Sequence, residues 1–356
     1  MWRNRKLLAI LMVTTMLMAI LVLAGCGDST ADSETPVEEP TEHTVTDMAG
    51  RTVTVPTEIN KIANFGSVGV QNAFIELMGE GSKICHDMPA RFTKNDNWKL
   101  QYEFAPQIKG APLFEDANGE VLIEVVLENE PDVCFSMSKE TIELLEENGL
   151  TTVYFEWNEV EDVKTAVTLM GEVLGKQDTA EDYIEYFDSK VAKARDLTKK
   201  LGEEDKKTVL YGSVTEFSQP HVIAEWWIPL AGGISVTDNE RTEDKFTYTL
   251  EDILKWDPDV IVSTAEKQIE ELETDSRFDN VTAVKNDEIY AIPTVAHVWG
   301  NRTVEQPLTV FWMMNKLYPE LMTREDLSEE IQYFYAHFFK YEMSDEQIAE
   351  IIDGKK

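Results

Sequence analysis

Residues 177–201, QDTAEDYIEYFDSKVAKARDLTKKL, read as one uninterrupted helix around which the flanking chain is arranged. Tyr183, Phe187, Val191 and Ala194 recur at spacings of three and four. Asp178 and Thr179 offer capping oxygens at its start, and Gly202 follows as a stop. At about 1.5 Å per residue, a helix from Asp178 to Leu201 is on the order of 36 Å long, the span of a small domain. The two flanks repeat one another. LIEVVLENEPDVCFS (122–136) stands before the helix and LEDILKWDPDVIVS (250–263) after it. Each is an acidic amphipathic helix, a Pro-Asp pair and a short apolar run, and in each a glutamate, Glu124 or Glu251, lies seven residues ahead of the proline. Two similar units separated by a long spacer predict two lobes joined by a strut.

The first 26 residues read as a targeting segment. Arg3, Arg5 and Lys6 form a basic start, Leu7 to Val22 is apolar, and Leu23-Ala24-Gly25-Cys26 closes the segment with small residues before a cysteine. A secretory cleavage site needs no cysteine, whereas a lipoprotein signal does, because the thiol is acylated and becomes the new N-terminus. Two acyl chains on Cys26 make a stable anchor. The mature chain is therefore expected on the outer face of a bacterial cytoplasmic membrane, extracellular or periplasmic, held by lipid alone. Residues 27–43 are polar and acidic and read as a disordered tether.

The formal net charge is −35, and removing the signal takes away only basic residues. Such a chain repels nucleic acid and anionic headgroups, so a nucleic-acid role is excluded. A hydrophobic fraction of 43% suffices for sizeable cores in more than one lobe. Beyond Cys26 only Cys85 and Cys134 remain, and no CxxC spacing exists. A thiolate metal site is not indicated, and the two thiols read as buried and free, a disulfide being the alternative in an exported protein.

Folding is expected to begin with TVTDMAGRTVTVP, two alternating runs around Ala49-Gly50 that form a hairpin in which Asp47 and Arg51 are structural. KIANFG, KIC, DVCFS and TTVYF then read as strands, interleaved with helices at Val68–Met78 and Lys139–Asn148. After the strut, KKTVLYGS, DVIVS and EIYAIP are strands and 221–230, 249–255, 304–317, 324–339 and 344–352 helices. This alternation predicts an α/β fold of two Rossmann-like lobes with largely parallel sheets, joined by one long rigid helix, with a ligand cleft between them. The expected segments are 44–158 for the N-terminal lobe, 159–204 for the inter-lobe helices and 205–356 for the C-terminal lobe.

The cleft of such a fold is lined by loops after the strands. In the first lobe these are Asn64 to Gly69 and the irregular stretch His86 to Leu113, which carries Met88 and Arg91. In the second they are Ser213 to Trp227 and His297 to Arg302. The candidate ligand-binding residues are thus His86, Met88, Arg91, His221, Trp226, Trp227, His297, Trp299 and Arg302. Imidazoles of His86, His221 and His297 are the ligands if a metal or haem is held directly; indole and guanidinium groups suit a planar anionic chelate. Arg302 and Glu305 either form an ion pair on one helix, or Glu305 holds Arg302 toward a ligand. The pattern has no GxSxG, HExxH or P-loop and no cysteine with a catalytic partner, so the chain reads as a binding protein rather than an extracellular enzyme.

TDMAGRTVTVP closely resembles the opening hairpin of the class III substrate-binding proteins of ABC importers, which take up ferric siderophores, haem and vitamin B12. MGEVLGKQDTAEDYIEYFDSKV is similar to that family's inter-lobe helices, the two PDV units to its paired helix-strand elements, and TVEQPLTVFWMMNKLYPE to its C-terminal segment. The resemblance spans about Thr44 to Phe339. It implies a monomer without a cofactor that captures a small ligand, an iron chelate of siderophore type, and docks onto a permease and its ATPase. Haem, a corrinoid or a bare transition metal are the alternative cargoes. It further implies that Glu124 and Glu251 pair with permease arginines, the two positions that spacing had singled out. Substitution Cys26→Ser is expected to release the mature protein from the membrane fraction; a protein still attached would overturn the anchor.

Overall fold

The hairpin comes first, and its turn is organised by one carboxylate. Glu42–Thr46 (β1) pairs antiparallel with Thr52–Pro56 (β2), Glu42 lying opposite Pro56. Buried Asp47 accepts the backbone N–H groups of Ala49 at 3.0 Å and Arg51 at 2.9 Å, and the Arg51 Nε at 2.8 Å. Gly50 takes the left-handed φ of +76° that closes this turn. Pairing out to Glu42 brings the first strand two residues into the stretch expected to be tether. The computed structural model describes residues 40–354 apart from 95–97, 220–221 and 238–245. The expected signal segment, Cys26, most of the tether and His221 lie outside the described residues.

The N-terminal lobe follows the expected alternation. Ile62–Phe65 (β3), Val68–Leu77 (α1), Ile123–Asn129 (α2), Val133–Ser136 (β4), Lys139–Glu147 (α3) and Thr152–Tyr154 (β5) build a parallel sheet of order β3-β4-β5. The sheet's residues are buried throughout, as a parallel sheet covered on both faces requires. The expected KIC strand contributes only a bridge, Ile84 to Ile62. The reason is local. The Asn64 N–H on that edge, which a longer ladder would use, is donated instead to the ring of His86 at 3.0 Å.

Two helices, Asp162–Leu174 (α4) and Gln177–Thr198 (α5), lead to the second lobe. Its sheet contains Thr208–Gly212 (β6), Ile234–Ser235 (β7), Val260–Ser263 (β8) and Ile289–Ala291 (β9), parallel and ordered β9-β8-β6-β7. Leu250–Trp256 (α6) precedes β8, and Gln306–Leu317 (α7), Arg324–Phe334 (α8) and Asp345–Asp353 (α9) complete the chain. The helix expected to reach Phe339 ends at Phe334 and continues as a wider turn over Tyr335–Phe339.

The spine α5 is not a bare strut. It buries Ala180, Tyr183, Tyr186, Phe187 and Ala194, and the Tyr183 hydroxyl donates to the Val304 carbonyl at 2.7 Å. At Gly171 a Cβ would stand 2.8 Å from that of Ala180, so glycine sets how closely α4 and α5 approach. The core around the spine joins Val133 and Phe135 of the first sheet to Val209, Tyr211 and Val260 of the second. Cys85 and Cys134 are both free thiols.

The two Pro-Asp units are structurally equivalent. Helices α2 and α6 each end on a left-handed residue, Glu130 at φ +47° and Asp257 at +45°. A buried proline follows, and the next aspartate then caps the start of the neighbouring strand. Asp132 accepts the N–H groups of Asn60 at 2.7 Å and Lys61 at 2.8 Å, while Asp259 accepts the N–H and hydroxyl of Thr208, both at 2.8 Å. Removing Asp259 strands two donors at a half-buried strand end, whereas the Asn60 and Lys61 N–H groups held by Asp132 are exposed and can turn to water. Asp259→Ala is expected to cost roughly 1–2 kcal/mol in urea unfolding and Asp132→Ala less; an unchanged midpoint for Asp259→Ala would refute the capping role.

Candidate functional site

Strand β3 ends at Phe65, and the turn that follows is clamped by an ion pair. Gly66, at φ +76°, donates its N–H to Glu115 Oε1 at 2.9 Å, and its carbonyl accepts from Arg91 Nη2 at 2.7 Å. The same Nη2 reaches Glu115 Oε2 at 2.6 Å, and Glu115 is buried. Arg91, a candidate ligand contact, is thereby committed to bracing this turn. Helix α1 starts immediately after at Ser67, with no side-chain cap and no acidic residue in its first turn, so its N-terminal end keeps its partial positive charge.

Trp98 covers that helix start. A Cβ on Gly69 would meet its ring at 2.4 Å, so only glycine admits the indole there. Trp98 also stands edge-on to Phe92, with centroids 5.1 Å apart, and to His297 of the second lobe, at 5.3 Å and 68°. Arg91 lies over Phe92 at 5.0 Å. Arg302 sits close enough to His297 to disfavour its protonation. Arg91, Phe92, Trp98 and His297 therefore form one chain of contacts across the two lobes beside the start of α1, and Arg302 acts electrostatically on its last member. Trp98 was missed from sequence because it lies in a stretch without period, and its one signal was an indole next to lysine in an expected ligand loop.

The His297 loop is held by a carboxylate. Glu305 is fully buried and accepts the N–H of Ala296 at 3.0 Å, the N–H of His297 at 2.8 Å, the Thr303 hydroxyl at 2.8 Å and the Tyr335 hydroxyl. The expected pairing of Glu305 with Arg302 is thus corrected, since the carboxylate is spent on the loop backbone. Facing it from α1 is buried Glu76, which accepts from Gln101 Nε2 at 3.2 Å. That same Gln101 Nε2 donates to the Ala296 carbonyl at 2.6 Å, tying the first lobe to the second. Burial and repulsion from Glu305 push the Glu76 carboxyl well above its ordinary range. Burial raises the Glu305 carboxyl too, but its four donors offset part of that shift, so Glu76 is the more strongly raised of the two. A buried amide ladder extends from here, Gln101 to Asn72 at 2.9 Å and Asn72 to Asn64 at 2.7 Å.

Other candidates lie in the core. His86 is buried with both ring nitrogens occupied: Nε2 accepts from Asn64, and Nδ1 faces the Asp87 carbonyl at 3.1 Å, which assigns the proton to Nδ1. Met88, Trp227 and Trp299 are buried packing residues, and Trp226 stacks on Phe187 of the spine at 5.9 Å. In this structure these side chains serve packing within the lobes. Among the described residues no three His, Cys, Asp or Glu side chains come together as metal ligands, while His221 lies outside them. Glu124 and Glu251 are exposed in the first turns of α2 and α6. A small cavity of about 70 Å³ beside Leu100, Ala265 and Ile292 has room for little more than water. No helix among the described residues is long and apolar enough to cross a membrane.

Two α/β lobes on a helical spine, with a polar face between them, are the architecture of solute-binding proteins of ABC importers. The sequence profile of the periplasmic binding protein family matches residues 90–296, more than half of the chain, and the chain belongs to that family. It is similar to the probable siderophore-binding lipoprotein YfiY of Bacillus subtilis, 24% identical over 316 residues and covering 81% of this chain and 91% of that one. It is also similar to the molybdate-binding protein MolA of Haemophilus influenzae, 23% identical over 345 residues with 83% and 90% covered. A crystal structure of a periplasmic solute binding protein from Veillonella parvula superposes with a TM-score of 0.75 at 24% identity, covering 87% of this chain and 96% of that one. Such proteins work with a permease and an ATPase and bind small molecules.

Burial lowers the pKa of His86 to about 4, and burial together with Arg302 lowers that of His297 to about 3, against 6.5 for a free ring. Both rings are neutral in the folded chain, while the unfolded chain takes up protons below 6.5. Their contribution to stability is therefore complete above pH 6.5 and is lost as pH falls toward 4. His297→Gln is expected to flatten the fall of melting temperature between pH 7 and 4.5; an unchanged slope would refute this source of acid sensitivity.

Proposed function

We propose that this protein captures an anionic iron chelate of siderophore type at the face formed by the start of α1, Trp98, His297 and Arg302. Lipid-anchored through Cys26, it then hands its cargo to the permease through Glu124 and Glu251. The observation that carries this reading is the inter-lobe chain from Arg91 through Phe92 and Trp98 to His297, with Arg302 near enough to keep that imidazole neutral, beside a helix N-terminus that has no side-chain cap and no acid in its first turn. That chemistry suits a planar or rounded anion and disfavours a bare cation, which would compete with Arg302 for the neutral ring. The relation to a probable siderophore-binding lipoprotein supports the same class.

A second reading is a compact oxyanion. It is supported by the uncapped first turn of α1, free of acidic residues, and by the relation to a molybdate-binding protein. In both readings the lobes share one core, so capture needs no large closure.

Intrinsic tryptophan fluorescence of the chain beginning near Glu42, titrated with a ferric catecholate, a ferric hydroxamate, haem, cyanocobalamin, molybdate, Ni²⁺ and Fe³⁺, separates the cargoes. Saturable quenching by a ferric chelate is expected, with Arg302→Ala weakening it by more than about tenfold. A response to molybdate alone would transfer the assignment to the oxyanion. A response to bare metal alone would overturn both readings in favour of histidine ligation.

A further inference from the structure

Helices α2 and α6 carry more than their glutamates. From Glu124 to Val133 and from Glu251 to Val260 the two stretches have the same alternation of exposed, half-buried and buried positions, residue for residue. The sequences differ at five of these ten sites, yet the alternation is unchanged at each of them, so the shared pattern is a property of the fold. Within it, the third position in each case is fully buried, Val126 or Ile253, and anchors the helix to its own lobe. The position after it is a leucine that the lobe leaves outside. Leu127 is 41% exposed and Leu254 is 42% exposed.

Each leucine lies three residues after the glutamate of its helix, so acid and apolar group are neighbours on one face of one turn. Single exposed leucines are ordinary on a protein surface. A leucine in the same place on two equivalent helices, each time beside the same exposed acid, is not explained by either lobe's own core.

We propose that Leu127 and Leu254 are the apolar anchors of the permease-docking surface. Each enters a hydrophobic site next to the basic residue that its neighbouring glutamate meets, one on each of the two permease subunits. This rests on the reading of Glu124 and Glu251 as docking residues. The occupant follows from charge complementarity and from number: an acid-leucine pair repeated once per lobe fits a partner that presents a base and an apolar pocket twice. The two components divide the work physically. The carboxylates act at range, steer the encounter and are screened by salt. The leucines act only in contact, lengthen the residence time and are insensitive to salt.

The test uses the full chain and its permease–ATPase complex in nanodiscs, with association and dissociation followed at about 0.05 M and 0.5 M salt. Leu127→Ser with Leu254→Ser is expected to bind about tenfold or more weakly at both salts, mainly through faster dissociation, with ligand quenching and melting temperature unchanged. Leu127→Met with Leu254→Met should retain binding. Glu124→Ala with Glu251→Ala should lose affinity chiefly at low salt. A serine variant that binds like the parent while the glutamate variant is impaired overturns the leucine assignment and leaves the docking reading standing. If both variants bind like the parent, the docking reading falls and the leucine assignment with it.

Discussion

The Glu305 carboxylate is the constraint on which the inter-lobe face depends. Its four donors come from Ala296, His297, Thr303 and Tyr335, so one side chain fixes both ends of the loop that presents His297 and ties it to the helix region that follows α8. A buried ionised group is costly unless such donors surround it, and the same donors would be stranded without it. The second lobe therefore cannot relax this loop independently of its C-terminal helices. Across the interface Glu76, its carboxyl pushed well above the ordinary range, and the Gln101 amide complete the arrangement, and Gln101 reaches the Ala296 carbonyl from the first lobe. Loop position, helix position and lobe orientation become one problem with one solution.

The continuous core has the same consequence at larger scale. Tyr183 and Phe187 of the spine pack in a cluster that contains strands of both sheets, so relative movement of the lobes would break apolar contacts as well as the polar bridge through Gln101. Interiors packed at this density change between discrete arrangements rather than deforming continuously. The shared core and the Gln101 bridge thus couple the positions of α2 and α6 to one another.

The fold was legible where the chain obeys a period. The spine, the hairpin and the two Pro-Asp units each have a local physical signature, and the aspartates that follow the prolines explain why the pair recurs: Asp132 and Asp259 each tie a neighbouring strand to the turn. The site was legible only in part. His297 and Arg302 lie at the face. His86, Met88, Trp227 and Trp299 were assigned by proximity to strand ends, yet a large aromatic or imidazole at such a point is as readily turned inward, and all four are buried. Trp98, Gln101 and Glu115 stand in a stretch with no period, where neighbours in space are set by long-range contacts that spacing does not encode.

An acidic chain that holds an anion is not a contradiction, because net charge and local field are different quantities. The carboxylates are spread over helical surfaces and act through water, where screening limits them to about 8 Å at physiological ionic strength. The groups at the inter-lobe face lie in a low-dielectric setting: the His297 ring is buried and neutral, Arg302 is half-buried, and the first turn of α1 has no acid to offset its N–H groups. Interactions of a given separation are several-fold stronger there than at an exposed surface. The two carboxylate pairings nearest the face are consumed internally, Glu115 on Arg91 and Gly66, Glu305 on the loop backbone. With the acids spent on the scaffold, the local balance at this face differs in sign from the net charge, which is what the proposed capture of an anion by a strongly negative protein requires.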